Sequence, residues 1–517
     1  MRTLSRSLPV AAAATLLAAV TLLAAATGCR QGSDEPAFPD DFLFGVATAG
    51  FQNDPGCPTL PASECIDAGS DWYQFVTSPE VRASRRSYLS GDPLSLGPGS
   101  YELYEKDFDL VKDGLSGNAV RLSLEWSRIF PRATFGVEGF AALRAQADGK
   151  ALAHYHAVLR ALKQRGLTPL VTLHHYTLPA WLHDAVGCHK DLTTCQPRGW
   201  LDERAVHEIT KYAGFAAQEF AAEVDLWATL NEPFAVILPG FIAPTADRTN
   251  PPAALLALTE ARTALLAMIK AHARMYDAVK AADQSDADGD GRPSQVGLVY
   301  NMTPAAPRDP QNPLDVLGAE RLFYLYNEVF LNAVLRGELD ENLDGNRVAR
   351  PELQRMDYVG INYYTRAIVD GTAKPFLPDL SPLSTFNPLT STLYTEYPKG
   401  IYDMVAYVNE RGYPAIITEN GSADPSDLMT APRYLAEHLG WLQRAVATGA
   451  RVRGYFYWTL VDNYEWNHGL QLSYGLYQLL QDPQKTRVPR LAVEVFRQIA
   501  TRKAIPPELQ LKYPLPD

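Results

Sequence analysis

Runs of apolar residues alternate along this chain with stretches in which apolar residues recur every third and fourth position, the spacings of buried strands and amphipathic helices. The strand-like runs are Phe42 to Ala49, Ala119 to Trp126, Thr168 to His175, Asp225 to Asn231, Gln295 to Asn301, Tyr358 to Tyr364, Ala415 to Glu419 and Arg453 to Leu460, eight in all. Between them, Val206, Ile209, Ala213, Ala216 and Phe220 fall on one helical face, as do Leu435, Leu439, Leu442 and Val446. Strands apolar on both faces, each followed by a helix, make a parallel sheet covered on both sides, and eight such units close as an α/β fold, a single (β/α)8 barrel. The barrel is expected over residues 38–505, with 506–517 as a C-terminal tail. Polar residues at the C-terminal ends of such strands line the mouth of the barrel. Here they are His174 and His175, Asn231 and Glu232, Asn362, and Glu419 and Asn420.

The first residues break the pattern. Arg2 and Arg6 precede an uncharged apolar stretch from Leu8 to Ala26, which reads as a secretory signal over 1–28, followed by a polar linker over 29–37. Ala25-Ala26-Thr27-Gly28-Cys29 resembles the lipidation site of bacterial lipoproteins, apart from Ala26 where Leu is usual. Cys29 is therefore expected to carry lipid and tether the chain to a membrane, with a permanent anchor or plain secretion as the alternatives. Each places the protein outside the cytoplasm. The other cysteines, Cys57 with Cys65 and Cys188 with Cys195, suit short disulfide loops in an oxidising compartment better than zinc, for which neither pair has further ligands at the right spacing. At 46% hydrophobic and 21% charged residues the chain is globular, and a net charge of −12 without basic clusters argues against nucleic-acid partners.

Two acids at one barrel mouth are what glycosidic bond cleavage uses, yet a chain with 59 acidic residues offers many structural ion pairs. The flanking residues decide. Trp227-Ala228-Thr229-Leu230-Asn231-Glu232-Pro233 and Ile417-Thr418-Glu419-Asn420-Gly421 resemble, in this order, the acid/base and nucleophile segments of glycoside hydrolase family 1. Glu125 to Pro131, Gly360 to Thr365 and Trp458 to Trp466 extend the resemblance. Ser70-Asp71-Trp72-Tyr73 and the segment from Ser90 to Gly99 look most like its archaeal-type members.

The resemblance implies a retaining, exo-acting β-glycosidase of the β-glucosidase kind that needs no cofactor or metal. Glu232 is then the proton donor and Glu419 the nucleophile, two roles whose pKa values must be held apart. Arg121 and Tyr364 would favour the ionised form of Glu419, and Asn231 would bind the sugar's 2-hydroxyl. Gln52, His175, Glu465 and Trp466 match the positions that read the outer hydroxyls, over an aromatic floor supplied by Trp458. His174 is assigned to packing. Glu465 would repel a 6-phosphate, so the expected substrates are unphosphorylated β-glycosides or oligosaccharides. Two departures, Ser473 before Tyr474-Gly475-Leu476 and Asn53-Asp54-Pro55 after Gln52, touch the rim. A transglycosidase and a non-catalytic saccharide-binding lipoprotein are the rival readings.

The run Asp286-Ala287-Asp288-Gly289-Asp290-Gly291 has the alternating carboxylates of a calcium loop but Gly297 at the twelfth place, where a bidentate Glu belongs. Asp340 to Gly345 is similarly incomplete. A solvated acidic turn is the expectation for both.

Overall fold

In the computed structural model, which describes residues 37–377, 380, 382–423 and 430–516, eight parallel strands form a closed barrel. They are β1 Leu43–Ala47, β2 Ala119–Ser123, β3 Thr168–His174, β4 Leu226–Asn231, β5 Gln295–Asn301, β6 Tyr358–Asn362, β7 Ala415–Asn420 and β8 Val452–Trp458. Each pairs with the next in sequence, and β8 closes on β1 with Leu43 opposite Gly454 and Ala47 opposite Trp458. The signal segment and Cys29 lie outside the described residues. Among the described residues no helix is long and apolar enough to cross a membrane.

One principal helix follows each strand: α1 Ser100–Asp109, α2 Gly149–Gln164, α3 Glu203–Glu219, α4 Leu258–Ala282, α5 Val329–Arg336, α6 Gly400–Glu410, α7 Thr430–Ala447 and α8 Leu491–Arg502. The apolar face read from the sequence of α3 is the buried one, with Val206, Ile209, Ala213, Ala216 and Phe220 all inside the core. Inside the barrel a separate cluster of mostly small and branched residues, among them Ala119, Leu170, Ala228, Val299 and Ile416, packs with Tyr358 and Phe456. Burying a Leu- or Ile-sized side chain is worth roughly 1.5–3 kcal/mol, so this layer fixes the floor on which the mouth residues stand. The segment after 505 continues as α9 Pro507–Lys512, which buries Leu509, with Tyr513 buried after it. Cys57 is joined to Cys65, and Cys188 to Cys195.

Five strands, β1, β2, β3, β6 and β8, end before the apolar runs that announced them. β2 ends at Ser123, after which Trp126–Ile129 forms a helical turn, and β6 ends at Asn362 rather than Tyr364. The residues beyond these points leave the hydrogen-bonded ladder and turn over the mouth.

Candidate active site

Glu232 follows β4 directly and sits in the left-handed region, φ 46° and ψ 64°, at the turn into a short helix opened by Pro233. Tyr176 at φ 70° and Trp466 at φ 50° share that conformation, which is costly for a residue with a side chain and collects at functional sites. The register slips in β4 between Ala228 and Asn231, and in β7 between Ile417 and Glu419. Such bulges re-aim the side chains that follow them. Past β7, a Cβ on Gly421 would lie 2.0 Å from the carbonyl oxygen of Trp458, so the backbone there admits only glycine.

The two acids are held by different partners. Glu419 Oε1 accepts from Arg121 Nη1 at 2.6 Å, and its Oε2 from the Tyr364 hydroxyl at 2.7 Å. Glu232 Oε1 accepts from Asn362 Nδ2 at 2.6 Å, and its Oε2 from the Tyr176 hydroxyl. Asn231 joins the halves: its Oδ1 accepts from Arg121 Nη2 at 2.7 Å and from Asn362 Nδ2 at 3.2 Å. Arg121 is fully buried, and its Nε also donates to Thr172 at 3.0 Å. Its planar fork thus ties β2 to β3, β4 and β7, which a lysine could not do. The Thr418 hydroxyl donates to Asn362 Oδ1 at 2.8 Å, which sets the amide so that its NH2 faces Glu232.

Burial lifts the Glu419 carboxyl up to about 7; Arg121 opposes the rise, the Glu232 charge adds to it, and the Tyr364 hydroxyl opposes it. The cation and hydroxyl expected to keep Glu419 ionised are therefore working against desolvation. A nucleophile must be ionised, so kcat/KM is expected to fall as pH drops through about 7. Tyr364→Phe removes a donor to the charged form, and the acid limb of a pH profile measured on an aryl β-glycoside should move to higher pH. An unmoved limb would mean that the hydroxyl does not tune Glu419.

Beside the acids, His175 lies between two indoles, its ring 5.9 Å from each and tilted 16° to Trp458 and 12° to Trp466. Burial, with the Arg121 charge beside it, pushes its imidazole well below the ordinary histidine range, and its Nε2 meets Asn231 Nδ2 at 3.3 Å. Gln52 donates to Glu465 Oε2 at 2.8 Å. Gln52 Oε1 and His175 Nδ1 are buried without a hydrogen-bond partner. Buried polar atoms are normally satisfied, so these two atoms offer hydrogen-bonding capacity to a further polar molecule. All ten residues named from the sequence for catalysis and sugar binding come together in this one network. His174 stays out of it, packed edge-on against Trp200 at 5.3 Å.

Three further groups take part. Tyr176 and Asn362 donate to Glu232, and Arg248 bridges Tyr176 (Nη2 to the hydroxyl, 3.1 Å) and Glu465 (Nη1 to Oε1, 3.4 Å). Asn362 was legible as a polar strand end. Tyr176 and Arg248 come from loops without periodicity, and no local signal marks them.

The profile of the family described as Glycosyl hydrolase family 1 matches residues 34–505. A beta-galactosidase of Pyrococcus woesei is 33% identical over 92% of this chain and 99% of its own, and one of Sulfolobus acidocaldarius is 33% identical over 92% and 97%. Among solved structures, the beta-glycosidase of Thermosphaera aggregans superposes with a TM-score of 0.78 at 30% identity, over 93% of this chain and all of its own.

Proposed function

The chain belongs to glycosyl hydrolase family 1, and on that premise we propose that Glu419 attacks the anomeric carbon of a β-glycoside while Glu232 protonates the departing oxygen. The protein is a retaining β-glycosidase acting on O-glycosyl bonds. In the first step the bond from the anomeric carbon to the aglycon oxygen breaks as the bond to a Glu419 oxygen forms, and the proton of Glu232 leaves with the aglycon. In the second, Glu232 takes a proton from water, whose oxygen displaces Glu419 from the anomeric carbon. The observation that carries the assignment is the division of partners: a guanidinium and a hydroxyl on Glu419, an amide and a hydroxyl on Glu232.

The role given to Glu419 calls for charge, and Arg121 supports it. Asn231, fixed by Arg121 and Asn362, is placed to meet a 2-hydroxyl, where hydrogen bonds strengthen as the oxocarbenium-like state forms. Gln52, His175, Glu465 and Trp466 read the remaining hydroxyls over Trp458. Substrates are unphosphorylated, since Glu465 sets a carboxylate in the outer subsite, and Arg248, the cation that reaches it, is shared with Tyr176. The test is stereochemical. Proton NMR of the purified protein with an aryl β-glucoside or β-galactoside should show the β-anomer as first product, with the α-anomer arising only by mutarotation. Immediate release of the α-anomer would overturn the mechanism.

The reaction is placed outside the cytoplasm, at a membrane reached through lipid on Cys29. The apolar stretch before Cys29 supports this, and so do the two disulfides, which form in oxidising compartments. The parent chain should incorporate labelled fatty acid and Cys29→Ser should not, and absence of label from the parent would exclude the tether.

A further inference from the structure

At the end of the barrel opposite the reacting acids, the loop from α4 to β5 carries Asp286, Asp288 and Asp290 followed by Gly291, the opening order of a calcium loop. Its twelfth place, where such a loop supplies its last carboxylate, is Gly297 within β5. The fold brings a carboxylate from elsewhere. Asp225, the residue before β4, is only 8% exposed. Its Oδ2 accepts the amide of Asp288, while its Oδ1 is buried without any hydrogen-bond partner. One carboxylate oxygen each from Asp225, Asp286 and Asp288 lie within 4.8 Å of one another. A buried carboxylate oxygen without a partner, on a carboxylate gathered with two more, is unfavourable unless a cation meets it.

We propose that Asp225, Asp286 and Asp288 form a binding site for a hard divalent cation, with calcium the occupant. An all-oxygen ligand set drawn from a loop and from the residue that leads into β4 suits the loose coordination of calcium better than the strict octahedron of magnesium. Asp286 accepts the amides of Gly289 and Gly291, so what sets this run apart from the second acidic run is Asp225, whose buried Oδ1 has no partner. Both oxygens of Asp340 already accept, from the amides of Asp344 and Gly345 and from the Tyr324 hydroxyl at 2.9 Å. Among the described residues no further acidic pair gathers around it. At this face of a barrel the expected role is stability. Lys163 of α2 already holds the loop by the Ala287 carbonyl at 2.9 Å, and the cation would add β4 to that clamp.

The test compares the full chain in EGTA, in about 10 mM calcium and in about 10 mM magnesium. Calcium should raise the melting temperature by about 2–4 °C, with half the effect between roughly 0.1 and 1 mM as in extracellular modules, and titration calorimetry should give one site. Magnesium should give less than half the shift. Asp288→Asn and Asp286→Asn, both exposed positions that leave the core untouched, should each abolish the calcium shift, and Asp344→Asn in the second run should keep it. Equal melting in EGTA and calcium, a shift retained in both loop variants, or one lost in Asp344→Asn would overturn the site.

Discussion

Glu419→Ala should lose turnover of an aryl β-glycoside by roughly 10⁴- to 10⁶-fold, the scale seen when a covalent nucleophile is removed. The size alone does not separate a nucleophile from a misfolded site, so the informative readout is rescue by azide. In Glu419→Ala the small anion takes the place of the lost carboxylate and displaces the aglycon from that face, giving an α-glycosyl azide. In Glu232→Ala the nucleophile remains, a good leaving group still departs, and azide then attacks the glycosyl-enzyme from the other face to give a β-glycosyl azide. Opposite anomers from the two variants establish the roles; the same anomer from both, or full turnover by Glu419→Ala, would refute them.

The second large effect is expected at Arg121. Arg121→Lys keeps the charge but cannot donate at once to Glu419, Asn231 and Thr172, as the guanidinium does at 2.6, 2.7 and 3.0 Å. Loss of a pre-organised donor set of this kind costs roughly 10²–10³ in kcat. Arg121→Met goes further, leaving a buried carboxylate without its cation, which typically costs about 3–5 kcal/mol of stability while the group stays charged. Since burial already lifts Glu419 to about 7, the methionine variant relieves this by protonation, and its acid limb should shift upward together with the loss of rate. An Arg121→Lys enzyme within tenfold of the parent would show that the fork is not needed.

The barrel was legible because parallel strands buried on both sides read as near-continuous apolar runs, and α3 because its apolar stripe is the face it buries. The ends of β4 and β5 were legible too, but those of β2 and β6 were not, since Trp126 and Tyr364 are as apolar as the residues before them yet leave the ladder. Glu232 and Glu419 were distinguishable from the other acids only through their neighbours in sequence, each within a few residues. Tyr176 and Arg248 meet Glu232 and Glu465 by tertiary proximity alone. Asp225 lies beside the acidic loop from some sixty positions away, a neighbour that a motif measured along the chain does not reveal.

The left-handed backbone at Tyr176, Glu232 and Trp466 has a consequence for how such a protein can change. Each non-glycine residue in that region costs on the order of 1–3 kcal/mol, and glycine would relieve it at once. At Tyr176 and Trp466 the buried ring that glycine would remove is worth more than this relief, but at Glu232 heat resistance and turnover pull in opposite directions. A library sorted for thermal endurance alone would drift toward glycine at position 232, gaining a sturdier barrel that no longer cleaves sugars.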